Sequence, residues 1–373
     1  MKLRGSIVAL SLTAGLILAG AGCAPPAAKP AAASSTGAAT ATSAAGLGGM
    51  DALVTAAKAE GTLNVIALPP DWANYGKVIA AFQSKYGVKV ASAQPDADSQ
   101  AEINAAKQLK GTSRAPDVYD LGQAVALANT SMFAPYKVAT FDTIDSAFKD
   151  PSGTWVNDYG GYMSIGYDSS KVPAVKTVDD LLGSAYKGKV ALNGNPTEAG
   201  AAFSGVEMVS IARGGSADDI TPGIDFFTKL HKAGNFLPVD PTPATVQSGQ
   251  TPVVFDWDYN NAALTAKVPS WKVMVPGNAA LGGYYYQAID KNAPHPAAAR
   301  LWEEFLFSDE GQNLYLGGGA RPVRADAMQK AGTLDAAAFA KLPKVSGKPV
   351  LLTTAQSTAA AAVLSKQWAK ATG

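Results

Sequence analysis

The chain has 373 residues, 47% hydrophobic and 16% charged, with Lys+Arg 31 against Asp+Glu 30 and a formal net charge of +1. That balance gives no electrostatic basis for a nucleic-acid partner or for attraction to an acidic membrane surface. One cysteine excludes an intramolecular disulfide and a cysteine-based zinc site, and two histidines exclude a histidine-rich metal site.

The first predicted element is an export signal over residues 1–22. Lys2 and Arg4 precede two apolar runs, 7–12 and 16–19, and small residues lead into Cys23. Gly20-Ala21-Gly22-Cys23 resembles the lipobox of bacterial lipoproteins, with Gly20 where that motif usually carries Leu. The resemblance implies lipidation of Cys23 and a mature protein held at the outer face of the bacterial cell membrane, or otherwise a periplasmic one. Residues 24–49 are dominated by Ala, Pro, Ser, Thr and Gly, with Lys29 the only charge. Such a stretch buries too little surface to offset its ordering entropy, so residues 23–49 are expected to form a disordered tether.

From Met50 the pattern becomes periodic. Residues 50–60 read as a helix stopped by Gly61, 63–68 as a buried strand ended by Pro69-Pro70, and Val78, Ile79, Phe82 and Tyr86 as the apolar face of a second helix. A strand at 88–90, a helix at 100–110, a strand at 117–121 and a helix at 124–129 follow. Alternation of this kind calls for a mostly parallel sheet covered by helices. Residues 161–168 alternate as an extended strand. A second series then starts: a short helix at 177–182, a strand at 188–192, helices at 199–212 and 224–232, and a buried strand at 252–255. Residues 282–289 are again extended, helix 297–307 follows, and a helix over 355–371 closes the chain. Among the familiar motifs, no Gly-x-Gly-x-x-Gly after a strand, phosphate-binding loop or Gly-x-Ser-x-Gly occurs. His231 and His295 read as bland surface positions. No nucleophile–base constellation supports an enzyme, so catalytic residues, cofactors and a resident metal are not expected.

The order of these segments resembles the extracellular solute-binding proteins of bacterial ABC importers, in the branch that includes ferric, polyamine, thiamine and aminoethylphosphonate binders. The likeness is carried by Tyr162 to Val172, by Thr177 to Leu182 with Tyr186-Lys187-Gly188-Lys189-Val190, and by Val246 to Val254. It is carried most specifically by Lys291-Asn292-Ala293-Pro294-His295-Pro296 with Phe305-Leu306 and Ser308 to Gln312, then Arg321-Pro322-Val323-Arg324. The resemblance implies an α/β, two-lobe periplasmic-binding-protein-like fold of type II, with a ligand cleft between the lobes and a hinge of crossing strands. Lobe one would be residues 50–159 plus 283–373, and lobe two residues 160–282, with the C-terminal helices packing on lobe one or on both. It also implies a monomer that captures a small solute and hands it to a membrane permease.

The site candidates follow the strand ends, where open α/β sheets bind ligands. Asp256-Trp257-Asp258-Tyr259 follows a buried strand; paired carboxylates suit an ammonium group, and aromatic faces attract cations. Asp71, Trp72 and Tyr75 repeat that content at the end of the first strand, where helix capping and a hydrophobic staple are the alternative. In a strand Tyr284 and Tyr286 face one way and Tyr285 the other, and the first two are taken as site residues. Asn195 lies before a helix N-terminus and could cap it or hold an anion. Asp120, Gln123, Asp158 and Tyr159 are weaker candidates. The set favours a polyamine-type cation, with ferric iron or an aminophosphonate as alternatives.

Overall fold

A computed structural model describes residues 35–373. The signal, Cys23 and the start of the tether lie outside the described residues. The strands are β1 Thr62–Ile66, β2 Lys89–Ala93, β3 Val118–Leu121, β4 Phe133–Ala134, β5 Val156–Asp168, β6 Val190–Leu192, β7 Val253–Trp257, β8 Trp271–Met274, β9 Leu281–Asp290, β10 Arg321–Pro322 and β11 Val350–Leu351. The architecture turns on β5, whose thirteen residues serve two sheets. Its first half pairs antiparallel with β9, matching Val156 to Gln287 and Gly160 to Tyr284. Its second half pairs antiparallel with β7 and β8, matching Ile165 to Phe255 and to Met274.

The first lobe is built on β9, with β3 and β4 antiparallel to it and the parallel pair β1–β2 beyond. Asp117 joins β1 to β3: its amide donates to the Asn64 carbonyl, and its carboxylate accepts from the Asn64 amide. The second lobe carries β6 parallel to β7, with helices Gly200–Ala212 and Thr221–Lys232 packed on it. All five residues of β7 are buried, which is why Val253-Val254-Phe255 reads as a continuous apolar run. β5 and β9 therefore cross together between lobes, the two-lobe arrangement expected of a type II binding fold. β8 does not announce itself in the sequence, because Lys272 interrupts a four-residue run.

One segment differs from the sequence expectation, one lay outside it, and the closing helix bears it out. Part of the supposed tether is folded: helix Ser35–Thr40 and a 3₁₀ turn at Ala44–Leu47 lay Ala38, Ala41, Ala44 and Leu47 into the core. The buried Arg300 holds them down, its guanidinium donating to the carbonyls of Ala41 (2.8 Å) and Ala39 (3.0 Å). Helix Asp309–Gly317, capped by Ser308, is an element to which the sequence expectation assigned no range. The closing helix, Thr354–Thr372, packs on both lobes, meeting helix Gln123–Ala128 of the first and helix Thr221–Lys232 of the second. Its Trp368 lies 5.4 Å from Phe227 and 6.4 Å from Phe236, ring centre to ring centre. No helix among the described residues is long and apolar enough to cross a membrane.

Candidate functional site

The loops at the carboxyl ends of β1, β2 and β3 face those after β6 and β7 across the groove between the lobes. They enclose a cavity of about 490 Å³, within the usual size of a small-molecule site. The loop after β1 is shaped by Pro69-Pro70 and by backbone that few side chains adopt. Ala67, Ala73 and Asn74 have φ of 57°, 44° and 70°. Left-handed backbone at non-glycine residues costs on the order of 1–3 kcal/mol each and collects at functional sites.

The lining is strongly acidic. Asp71, Asp96, Asp98, Glu102 and Asp120 come from the first lobe and Asp240 and Asp256 from the second, against the single cation Lys267. Asp120 is 7% exposed. Its Oδ2 accepts from the hydroxyls of Tyr75 and Tyr159, each at 2.8 Å, while Oδ1 has no hydrogen-bond partner. Burial pushes its carboxyl up, against the lowering effect of those hydroxyls. Behind it, Asp158 accepts from Gln287 and Tyr315, and burial together with the Asp120 charge raises it well above the usual carboxylate range. Glu102 accepts from the Asp120 amide at 3.0 Å and is likewise raised, first by burial. Across the groove Asp256 holds the Trp257 amide at 2.7 Å and the Asn260 side-chain amide, and burial pushes it up to about 7. The Oδ1 of Asn260 is also without a partner. Aromatic faces complete the site. Trp72 stands edge-on to Tyr285 at 5.7 Å and donates its indole N–H to Tyr159.

Two of the contacts between the lobes involve the lining of this cavity. Lys267 pairs with Asp71 at 2.6 Å, and Gly122 meets Gly200 so closely that a Cβ on Gly122 would lie 2.5 Å from the Gly200 Cα. Only glycine permits that approach.

The sequence candidates divide. Asp71, Trp72, Asp120 and Asp256 line the acidic cavity. Tyr75 and Tyr159 lie behind it, fully buried, and act on it through Asp120. Trp257 turns to the opposite face. Asp258 is buried in an ion pair with Arg321 at 2.7 Å and accepts from the Tyr162 amide, so its charge is already matched. Tyr259 is enclosed by Trp72, Tyr159 and Trp257, and its hydroxyl has no partner. Tyr284 and Tyr286 line another cavity, and Tyr285 borders both that one and the acidic one. The exposed Asn195 accepts from the amide and hydroxyl of Thr197 in a turn, while Asn193 lines the cavity. Gln123 also belongs to the other cavity. Asp96, Asp98, Glu102, Asp240, Asn193, Asn260, Lys267 and Tyr285 are residues that sequence reasoning missed. For Tyr285 strand parity was the available signal, and for Asp240 the Pro-Val-Asp-Pro-Thr-Pro stretch. The buried Glu102 sits in an ordinary helical pattern and gave none.

Residues 122–343 match the family model described as bacterial extracellular solute-binding protein. No curated protein matches. Among solved structures, iron-bound HitA of Pseudomonas aeruginosa shares 22% identity at a TM-score of 0.59, covering 82% of this chain and 97% of its own. The spermidine/putrescine ABC transporter substrate-binding protein PotD of Streptococcus pneumoniae shares 16% at 0.53, covering 84% and 99%. AfuA of Actinobacillus pleuropneumoniae, with fructose-6-phosphate bound, shares 16% at 0.60, covering 83% and 97%. These likenesses show the fold and leave the solute open. With its two α/β lobes, its crossing strands and a family match over more than half its length, the chain belongs to the bacterial extracellular solute-binding proteins, which bind a small solute for an ABC importer.

Proposed function

We propose that the acidic cavity captures a small cationic amine of polyamine type and that the protein delivers it to its permease. The observation that carries this reading is the charge of the cavity: seven lining carboxylates face one lysine, and Asp120 keeps one oxygen unpaired. A buried carboxylate without a partner is costly, and an ammonium group supplies both the charge and the hydrogen bonds. The rings of Trp72 and Tyr285 suit the same ligand, since aromatic faces attract cations and pack along methylenes. Asp71, Trp72, Asp120, Asp256, Asn260 and Tyr285 form the proposed contact set. A ferric ligand would call for phenolate donors. Tyr285 is the one tyrosine lining this cavity among the described residues, and burial pushes its hydroxyl well above its ordinary range. An aminophosphonate would look for hydroxyls at the start of helix Gly200–Ala212, which opens Gly-Ala-Ala after an uncapped Ala199. Attachment by lipid at Cys23 and a monomeric state belong to the same proposal. A Cys23→Ser protein found in the soluble fraction of cells would support the anchor.

The deciding experiment is a thermal-shift titration with putrescine and spermidine. A ligand that binds only the folded state raises the melting temperature in a concentration-dependent way. An unchanged midpoint with every amine, or a visible charge-transfer band on adding ferric ion, removes the amine reading.

A further inference from the structure

A second cavity, of about 360 Å³, shares only Gly200 and Tyr285 with the acidic cleft. Its chemistry is opposite: no Asp, Glu, Lys, Arg or His lines it. β9 forms one wall with Tyr284, Tyr285 and Tyr286, and Trp257 and Phe203 close the second-lobe side. Phe148 packs 4.6 Å from Tyr284 and Trp155 4.6 Å from Tyr286, so two aromatic pairs frame the space. Its polar side chains besides the tyrosines are all uncharged: Gln123, Asn157, Ser204, Thr353 and Thr354. The Asn157 amide donates to the Tyr285 carbonyl, and the Ser204 hydroxyl has no protein partner among the described residues. Leu351 belongs to the lining and, at 45% exposed, is the most open large hydrophobic side chain among the described residues. The Tyr285 hydroxyl and the Gly122–Gly200 contact lie between this space and the acidic cleft, since a Cβ on Gly200 would meet both.

The geometry points to a second binding site, built for an uncharged aromatic molecule of about two fused rings. An engineered cavity of ~150 Å³ lined by apolar side chains takes benzene, so this one has room for a bicyclic ring. Offset and edge-on ring contacts on three sides provide the attraction. A charged ligand would lose its water without gaining a counter-ion, which selects for a neutral one. The site does not depend on what the acidic cleft takes.

Indole is a suitable probe for the full chain, read by calorimetry and by saturation transfer from protein to ligand protons. The expected result is saturable one-to-one binding, at least about tenfold tighter than indole-3-acetate or tryptamine. Ser204→Trp, which fills the space, and Ala147→Trp, which plugs the rim from an exposed position, should each weaken indole by about tenfold or more. Both should keep their response to putrescine, because neither residue lines the acidic cleft. If Ser204→Trp fails to fold, Ala147→Trp decides the matter. Absence of saturable binding, equal affinity in the wild type and the folded variants, or one-for-one displacement by putrescine overturns the assignment.

Discussion

Replacing Asp120 by Asn separates the ligand role of this carboxylate from its structural one, because the two predict opposite signs. Oδ2 is held by two tyrosine hydroxyls and Oδ1 is unpaired, while the Asp120 charge adds to burial in raising the proton affinity of both Asp158 and Glu102. Removing one member of a desolvated charge pair costs ~2–5 kcal/mol of binding, so amine affinity should fall by roughly 30-fold to a few thousandfold. Asn keeps the shape and an oxygen for the tyrosines and removes the charge that raises both Asp158 and Glu102. The empty protein should therefore melt no lower than wild type. Its advantage should depend on pH. A carboxyl whose pKa is raised on folding binds more protons folded than unfolded, so wild-type stability is greatest below the unfolded value near ~3.9 and declines as pH rises toward the folded one. The gap between Asp120→Asn and wild type should thus widen from pH 4 upward and level off once the buried group is ionised. Melting curves with and without spermidine at several pH values provide the assay. A variant that keeps the full spermidine shift, or loses several degrees when empty, would refute the reasoning.

Three further outcomes are expected. Asp256, pushed up to about 7 in the empty cleft, must be ionised to pair with an ammonium group. Amine affinity should accordingly drop by up to about tenfold per pH unit below that point for one linked proton; calorimetry in buffers of different ionisation heat would show the released proton. Gly122→Ala places a methyl 2.5 Å from the Gly200 Cα and should hold the lobes apart, seen as a larger radius in X-ray scattering with amine present and about tenfold or more weaker binding. Arg321→Ala strands the fully buried Asp258, a loss of ~3–5 kcal/mol in urea unfolding, most of which a second change, Asp258→Asn, should restore.

Much of the fold was legible because burial follows period. Helix Met50–Glu60 lies where Leu53, Ala56 and Ala57 place it, and β7 where its apolar run lies. The folded start of the chain was hidden because Ala38, Ala41 and Ala44 bury little area each, and their fixation depends on Arg300, some 260 positions away. The site was only half legible for the same kind of reason. Asp256 and Asp258 look equivalent in sequence, but the strand ends between them. One is left facing the cleft, and the other turns inward to Arg321, whose position no local pattern discloses. Parity set Tyr285 apart from Tyr284 and Tyr286, and of the three only Tyr285 also lines the acidic cavity.

Arg300 has a mechanical side. Helix Ser35–Thr40 touches helices Met50–Glu60 and Pro296–Leu306, and the Thr42 carbonyl accepts from the Lys137 amide at 2.8 Å. All of these belong to the first lobe. A pull on the end of that helix would therefore be taken up there, as a cable clamp takes load off a joint. A load applied at Ser35 would meet the packing of the first lobe before it reached β5 and β9.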